Sequence, residues 1–569
     1  MPSQVIAAFH RIGRELTASG GPFELTVGAV NGSATRLFAR AHANLAEFYA
    51  ETEAGFGTAS FIAEGEQSWS YAQIFAAARR LGAALQDRFG IGRGDRVGIV
   101  CRNRMEWIVA FLAITRIGAI AVLFNGRSSA PELAEAAAVT VCKVVIADGK
   151  RVELARQAGI DVPIIGIIEG RLGGAATVSF DSLVSGSGRE AEAVQADADD
   201  PAAILFTSGT TGSPKGAVLS HRNICMLAAN SQYLAALGMT LTAEQMGVPV
   251  DALRSRMPRL VSLLIFPLFH ISGLTSLIMT MLSGGQVVTI RRWDPPAAMA
   301  EIEAKRINFL TGPALVLSDL LDLPGAAERL RYVINIGVGG QATPASLARR
   351  IKEAVPNAQD GNGWGMTELS GSVSAAKGAL FDAKPDSCGF LSPLMEVRTV
   401  DDHGNVLHPG EIGELQLRGP LVMLGYWGKE AETAAILKDG WLSTGDIGRI
   451  DEDGFLYLAD RKKDIVISAG ENIFCAEVER VITSDQRVAE VAMFGVPDAR
   501  LGERAIAVIN LRPGQTCSSD EMAGLIAGRL ADYKVPSEFV FDLGPIPRNA
   551  IGKIDKARLR DAYFAQARS

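Results

Sequence analysis

The sequence predicts an α/β protein with two domains. A large N-terminal domain of mostly parallel sheets flanked by helices ends in a small β unit, and a small C-terminal α+β domain follows. Two observations carry this expectation. Short Val- and Ile-rich runs alternate with helical stretches ahead of residue 390, each ending in Gly, Ser, Thr or Asp where a loop at a sheet edge would lie. From about Gly389 the texture changes to short strands with D-x-x-G turns, and after Lys463 a new series of strands and helices begins. At 569 residues the chain has room for about three or four compact units. The expected boundaries are 1–460 and 461–569, with the β unit starting near 389.

The elements read in order as follows. SYAQIFAAARRLGAALQDRF is an amphipathic helix leading to the strand DRVGIV (95–100), and the helix-like EWIVAFLAITRIG leads to the strand AIAVLFN. CKVVIAD (142–148), VPIIGII (162–168), PAAILFTSG (201–209) and RYVINIGVGG (331–340) continue the pattern, so two parallel sheet units are expected before residue 390. EVRTVDDHGNVLHPGEIGELQLRGP and IGRIDEDGFLYLADR form the β unit. The charged run Asp460-Arg461-Lys462-Lys463-Asp464 is an exposed join.

Composition excludes several classes. With 56 basic and 63 acidic residues the net charge is −7, so no global attraction to nucleic acid or an anionic membrane is expected. The six cysteines are far apart with no C-x-x-C pair, which fits a reducing cytoplasm better than a zinc site or a disulfide scaffold. The N-terminal residues lack the cationic start and long apolar core of a secretory signal. Leu260 to Ile290 carries no Lys, Arg, Asp or Glu and is long enough to span a bilayer. Pro267, His270, Gly273 and Gly284-Gly285 divide it into strand, turn and helix, so buried core is expected and no transmembrane span.

The most informative segment is Thr207-Ser208-Gly209-Thr210-Thr211-Gly212-Ser213-Pro214-Lys215-Gly216, directly after the apolar AAILF. Glycines free the backbone to curl, hydroxyls and amides can hold phosphate oxygens, and Lys215 adds charge. The spacing is not that of a P-loop NTPase, because no Ser or Thr follows the lysine.

FTSGTTGSPKG resembles the signature loop of the adenylate-forming superfamily, which includes acyl-CoA synthetases, peptide-synthetase adenylation domains and luciferases. GWGMTE (363–368), WLSTGDIG (441–448), DRKKDIVISAGENI (460–473) and PRNAIGKIDK (547–556) match in the same order. GIVCRNRMEWIVAFLAITRIGAIAVLFN is similar to the N-terminal region of the acyl-CoA synthetase branch, so the resemblance covers most of the chain.

The resemblance implies an ATP-dependent acyl-CoA ligase that uses Mg2+ and coenzyme A. Thr207 to Lys215 would hold the β- and γ-phosphates, Glu368 with Thr207 would bind Mg2+, and Thr367 would contact the α-phosphate. Trp364, where the family usually has Tyr, could stack on adenine or serve as a core aromatic. Asn362 and the Gly339-Gly340-Gln341 turn would contact adenine. Asp446 and Arg461 would grip the ribose. Lys553 would carry adenylation, because a mobile point charge can bridge the carboxylate nucleophile and the α-phosphate. Lys463 would be the hinge about which the C-terminal domain pivots for thioester formation.

His270 in PLFHISG matches a position lining the acyl pocket, or else is a satisfied core histidine; Gly273 and Gly337 are assigned to the same pocket. Ala469 stands where the family commonly has Gly, and with Gly470 borders the stretch expected at the pantetheine tunnel. Cys475 replaces a common Pro. The remaining histidines form no visible metal cluster. Small residues at Gly337 and Gly339 beside the Leu, Ile, Phe and Met of 262–281 suggest an open hydrophobic tunnel, so an apolar acid is expected, medium- or long-chain fatty or alicyclic. An aryl-CoA ligase, an acyl-AMP ligase loading a carrier protein, and a non-catalytic binding protein are the alternatives. The expected location is cytoplasmic; peripheral membrane contact and a homodimer are left open.

Overall fold

A computed structural model describes residues 2–167, 178–186, 188–208, 214–339, 345–541, 543–549 and 552–566. Two large sheets organise the N-terminal domain. In the first, strands Ile164–Ile167, Val144–Asp148, Arg96–Val100, Ile120–Leu123 and Pro201–Ser208 run parallel, and Pro214–Ser220 and Gly425–Tyr426 continue the sheet antiparallel. In the second, Ser60–Glu64, Gln286–Thr289, Val261–Leu264, Phe309–Gly312 and Asn335–Val338 are parallel neighbours. The central strands are buried along both faces, which is why they read as unbroken apolar runs.

The two sheets are not consecutive blocks of sequence. Ser60–Glu64 precedes every strand of the first sheet, yet pairs in the second. Helix Tyr71–Phe89 follows it, with Ser70 and Gln73 closing a reciprocal capping box and Gly90 ending it at φ 63°. The charge-free stretch resolves into strand Val261–Leu264, helix Ile271–Leu282 and strand Gln286–Thr289. Among the described residues one helix, His221–Met246, is long and apolar enough to cross a bilayer, and 56 % of its apolar window is packed inside the fold.

The antiparallel region begins earlier than Gly389. Gly361–Met366 pairs with Gly371–Lys377, and the latter with Phe390–Leu391. Beyond it, Glu396–Val400, Gly413–Arg418, Trp441–Ile450 and Leu456–Arg461 form the β unit. After a 3₁₀ turn at Lys462–Asp464, the C-terminal α+β domain stacks helices Cys475–Thr483, Ser519–Ala527 and Lys556–Gln566 on a sheet built round Val488–Asp498 and Gly502–Leu511.

Candidate active site

The strands on either side of the phosphate-loop segment, Pro201–Ser208 and Pro214–Ser220, pair antiparallel in the first sheet. Thr207 faces Lys215 and Ser208 faces Pro214 across the pair, and the Thr207 hydroxyl donates to the Lys215 carbonyl at 3.4 Å. Gly209, Thr210, Thr211 and Gly212 lie outside the described residues, as do Gly340 and Gln341.

GWGMTE forms one strand and the turn after it. Gly365 is needed there because a side-chain carbon would stand 1.9 Å from the Gly371 carbonyl oxygen. Thr367 and Glu368 occupy the 3₁₀ turn Thr367–Leu369 and are 6 % and 7 % exposed. This turn is held from the neighbouring segment: Met423 N donates to the Glu368 carbonyl at 3.0 Å, and the Ser370 hydroxyl donates to the Leu421 carbonyl at 2.7 Å.

Asp446 and Arg461 face each other across adjacent strands, with Arg461 Nε 3.0 Å from Asp446 Oδ1. The buried Trp364 indole donates to the other carboxylate oxygen, Oδ2, at 2.7 Å. Both oxygens of this buried carboxylate are therefore held from within the protein. Asn362 donates to the Ser387 carbonyl at 3.2 Å, and its own oxygen accepts from Gly363 N.

Lys553 reaches this cluster from the C-terminal domain, in a loop closed by Arg548 and Ile554. Its backbone N donates to Asn549 Oδ1 at 3.0 Å, and Asn549 N donates to the Lys553 carbonyl at 2.8 Å. Burial, then the nearby Arg461, pushes the ammonium down to about 8; Asp446 and Glu368 pull upward and Lys463 again downward. His270 caps helix Ile271–Leu282, its Nδ1 accepting from Ser272 N, and burial followed by the charge of Lys553 lowers it to about 4. The neutral ring is thus the form present near neutrality. Lys553, Arg461, Asp446, Glu368, Lys463 and His270 come together from both domains.

Three glycines expected at the acyl pocket have close neighbours. A side chain at Gly273 would meet the Pro267 carbonyl oxygen at 2.2 Å, so this glycine permits close packing of the helix start rather than opening a pocket. At Gly339 the vacated space is taken by the Phe266 ring, 2.9 Å from where a side-chain carbon would stand, and at Gly337 by Thr311 at 3.3 Å. Lys463 is exposed in its 3₁₀ turn, and Ala469 and Gly470 are exposed at the tip of the hairpin joining Val466–Ser468 to Glu471–Ile473. Cys475 is buried, its thiol donating to the Asp464 carbonyl at 3.0 Å.

Two features escaped the sequence reading. Tyr426 donates to Glu368 Oε1 at 2.8 Å. A cavity of about 240 Å³ is lined by Arg102, Arg127, Arg291, Arg292, Phe269 and Trp293, among others. Burial first, then the charges of Arg102 and Arg151, lowers Arg127 from the ordinary guanidinium range, while Arg291 is paired with Glu64 and Arg151 with Asp148. The arginines follow strands of both sheets, so only the assembled fold unites them; an Arg at a strand end is the faint signal available beforehand.

Comparison with known proteins identifies the family. A family model described as AMP-binding enzyme matches residues 47–427, and one described as AMP-binding enzyme C-terminal domain matches 477–553. The indoleacetate–CoA ligase of Aromatoleum aromaticum is 33 % identical over 505 residues, covering 87 % of this chain and 93 % of that protein. The long-chain-fatty-acid–CoA ligase FadD13 of Mycobacterium tuberculosis is 31 % identical over 509 residues, covering 87 % and 93 %. The structure of o-succinylbenzoate CoA synthetase from Bacillus subtilis, in complex with an acyl-adenylate intermediate, aligns with a TM-score of 0.72 at 28 % identity, covering 90 % and 98 %.

Proposed function

The chain belongs to the AMP-binding enzyme family, as an ATP-dependent acid–thiol ligase of the acyl- or aryl-CoA type, and from that premise we propose that it activates an apolar, medium- or long-chain fatty or alicyclic acid in the cytoplasm. The observation that carries the reading is the convergence of Lys553 with Glu368, Asp446, Arg461 and neutral His270. In the first half-reaction a carboxylate oxygen of the acid attacks the α-phosphorus of ATP, the bond to the bridging oxygen breaks, and pyrophosphate leaves. Lys553 holds the carboxylate and α-phosphate as charge passes between them. Asp446 with Arg461 holds the ribose, Thr367 contacts the α-phosphate, and the Thr207–Lys215 segment holds the outer phosphates.

The donor set fits a hard cation. Glu368 is a buried carboxylate of which the hydrogen bonds among the described residues engage only Oε1, and Thr207 supplies a hydroxyl. Glu368 and Thr207 would hold Mg2+, which when bound offsets phosphate charge.

In the second half-reaction the CoA sulfur attacks the acyl carbon and AMP leaves. A turn of the chain at Lys463 would withdraw Lys553 and bring up the Ala469–Gly470 tip. The arginine-lined cavity supports CoA over a carrier protein as acceptor. Guanidinium groups suit its phosphates, aromatic rings suit its adenine, and Phe269 adjoins His270 in the chain. Six free cysteines support a reducing compartment. Phe266 closing on Gly339 favours a second reading, a compact ring-bearing acid and hence an aryl-CoA ligase, the class of the indoleacetate relative.

The test is pyrophosphate release from ATP and Mg2+ across fatty, alicyclic and aryl acids, with and without CoA. CoA-dependent turnover is expected with fatty or alicyclic acids. Turnover confined to aryl acids would replace the first substrate class with the second. Stoichiometric release that CoA does not carry further would assign a carrier-protein acceptor.

A further inference from the structure

Tyr426 stands between the strand that follows the phosphate-loop segment and the Glu368 turn. Its short strand, Gly425–Tyr426, pairs antiparallel with the strand carrying Lys215, Ala217 opposite Tyr426. The seam continues on both sides: Leu424 N donates to the Val218 carbonyl at 2.9 Å and Trp427 N to the Gly216 carbonyl at 2.8 Å. Tyr426 N is anchored separately on the Thr433 hydroxyl at 2.9 Å. From this fixed backbone the phenol donates to Glu368 Oε1 at 2.8 Å, while the Lys215 ammonium lies 5.3 Å from the centre of the ring.

One side chain therefore touches both charged groups assigned to the phosphates and the metal. We propose that Tyr426 is a positioning residue that fixes the Glu368 carboxylate for the cation and registers it against Lys215, an inference resting on the nucleotide half of the proposed function. A hydrogen bond to Oε1 holds the carboxylate rotamer and leaves Oε2 for the cation. The ring face, carrying the negative end of its quadrupole, holds the ammonium on the other side.

The test separates the hydroxyl from the ring. Mn2+ binding is titrated by electron paramagnetic resonance with α,β-methylene-ATP present, and analogue binding without metal is measured in parallel. Tyr426→Phe keeps the ring and is expected to weaken Mn2+ binding about tenfold, leaving metal-free analogue affinity unchanged. Glu368→Gln should weaken it as well, and adding Tyr426→Phe to that variant should bring little further loss. Tyr426→p-aminophenylalanine restores a donor of similar reach and should recover Mn2+ affinity, a result that loss of packing alone cannot produce. Unchanged Mn2+ binding in Tyr426→Phe, or full additivity with Glu368→Gln, overturns the assignment of Tyr426 alone. A native chain with no metal-dependent analogue binding overturns the nucleotide-site reading beneath it.

Discussion

The strand pair carrying Asp446 and Arg461 and the hairpin carrying Ala469 and Gly470 follow one another in the chain, yet they are built in opposite ways. The first is cross-tied: Asp446 is 4 % exposed and takes Trp364 on one oxygen and Arg461 on the other. The second projects into solvent on a two-residue turn whose residues both have positive φ, 52° at Ala469 and 86° at Gly470. Lys462 lies between them and is bound back to Glu414 and Asp402 of the β unit, while Lys463 is exposed. The nucleotide side is organised before any ligand arrives, so its binding energy is not consumed in ordering side chains. The hairpin is tied instead through its backbone, Ala469 N donating to the Leu501 carbonyl at 2.7 Å and Ile467 N to Glu503 at 2.9 Å, which leaves its tip free for the proposed swing.

The sharpest way to break this contrast is at Lys553, which reaches the ordered side from the other domain. Lys553→Ala is expected to lower acid-dependent pyrophosphate release by about 10²–10³-fold. Thioester formation from supplied acyl-adenylate and CoA should be nearly unaffected. Equal loss in the two half-reactions would remove the assigned role. The same lysine sets a pH limit. The charged form is the active one and the group sits at about 8 in the free protein, with Arg461, Lys463, Asp446, Glu368 and His270 around it. The kcat/KM for adenylation should hold below that value and fall as pH rises through it. Lys553→Arg, which stays charged, should flatten the alkaline limb; a profile that does not change would assign the fall to another group.

Smaller effects probe the ordered side itself. Removing the indole donor in Trp364→Phe leaves Asp446 held by Arg461 alone. A hydrogen bond to a charged group contributes about 1.5 kcal/mol or more, so the KM for ATP should rise by about tenfold. The KM for the acid should stay as it was. An unchanged KM for ATP would mean that Arg461 suffices to orient the carboxylate.

What could be read in the sequence follows the same division. Parallel strands were legible because burial on both faces leaves continuous apolar runs, as in Arg96–Val100 and Ile120–Leu123. The contiguous motifs keep Thr367 and Glu368 together in one local turn, whereas Asp446 sits within the strand Trp441–Ile450 and meets Trp364 and Arg461 only in the fold. Tyr426 was not legible, since its partner Glu368 is 58 residues away and nothing in GYW announces the contact. The crossing of Ser60–Glu64 into the second sheet was equally hidden, because apolar alternation says that a strand is buried and not which sheet buries it. The close neighbours of the glycines were hidden for a related reason: a sequence does not tell that Phe266 and the Pro267 carbonyl stand against Gly339 and Gly273.

The smallest expected effect belongs to the exposed hairpin. Left-handed backbone costs an alanine about 1–2 kcal/mol, and glycine removes that cost while adding freedom to the unfolded chain. Ala469→Gly should therefore stabilise the C-terminal domain by a net of about 0.5–1 kcal/mol, read as a rise in its denaturant midpoint with an unchanged slope. Because Ala469 lies outside the nucleotide cluster, pyrophosphate release in the first half-reaction should not move. If the residue borders the path of the pantetheine arm, loss of the methyl should also lower the KM for CoA. A gain in stability with no change in that KM would make Ala469 a strained turn residue and nothing more.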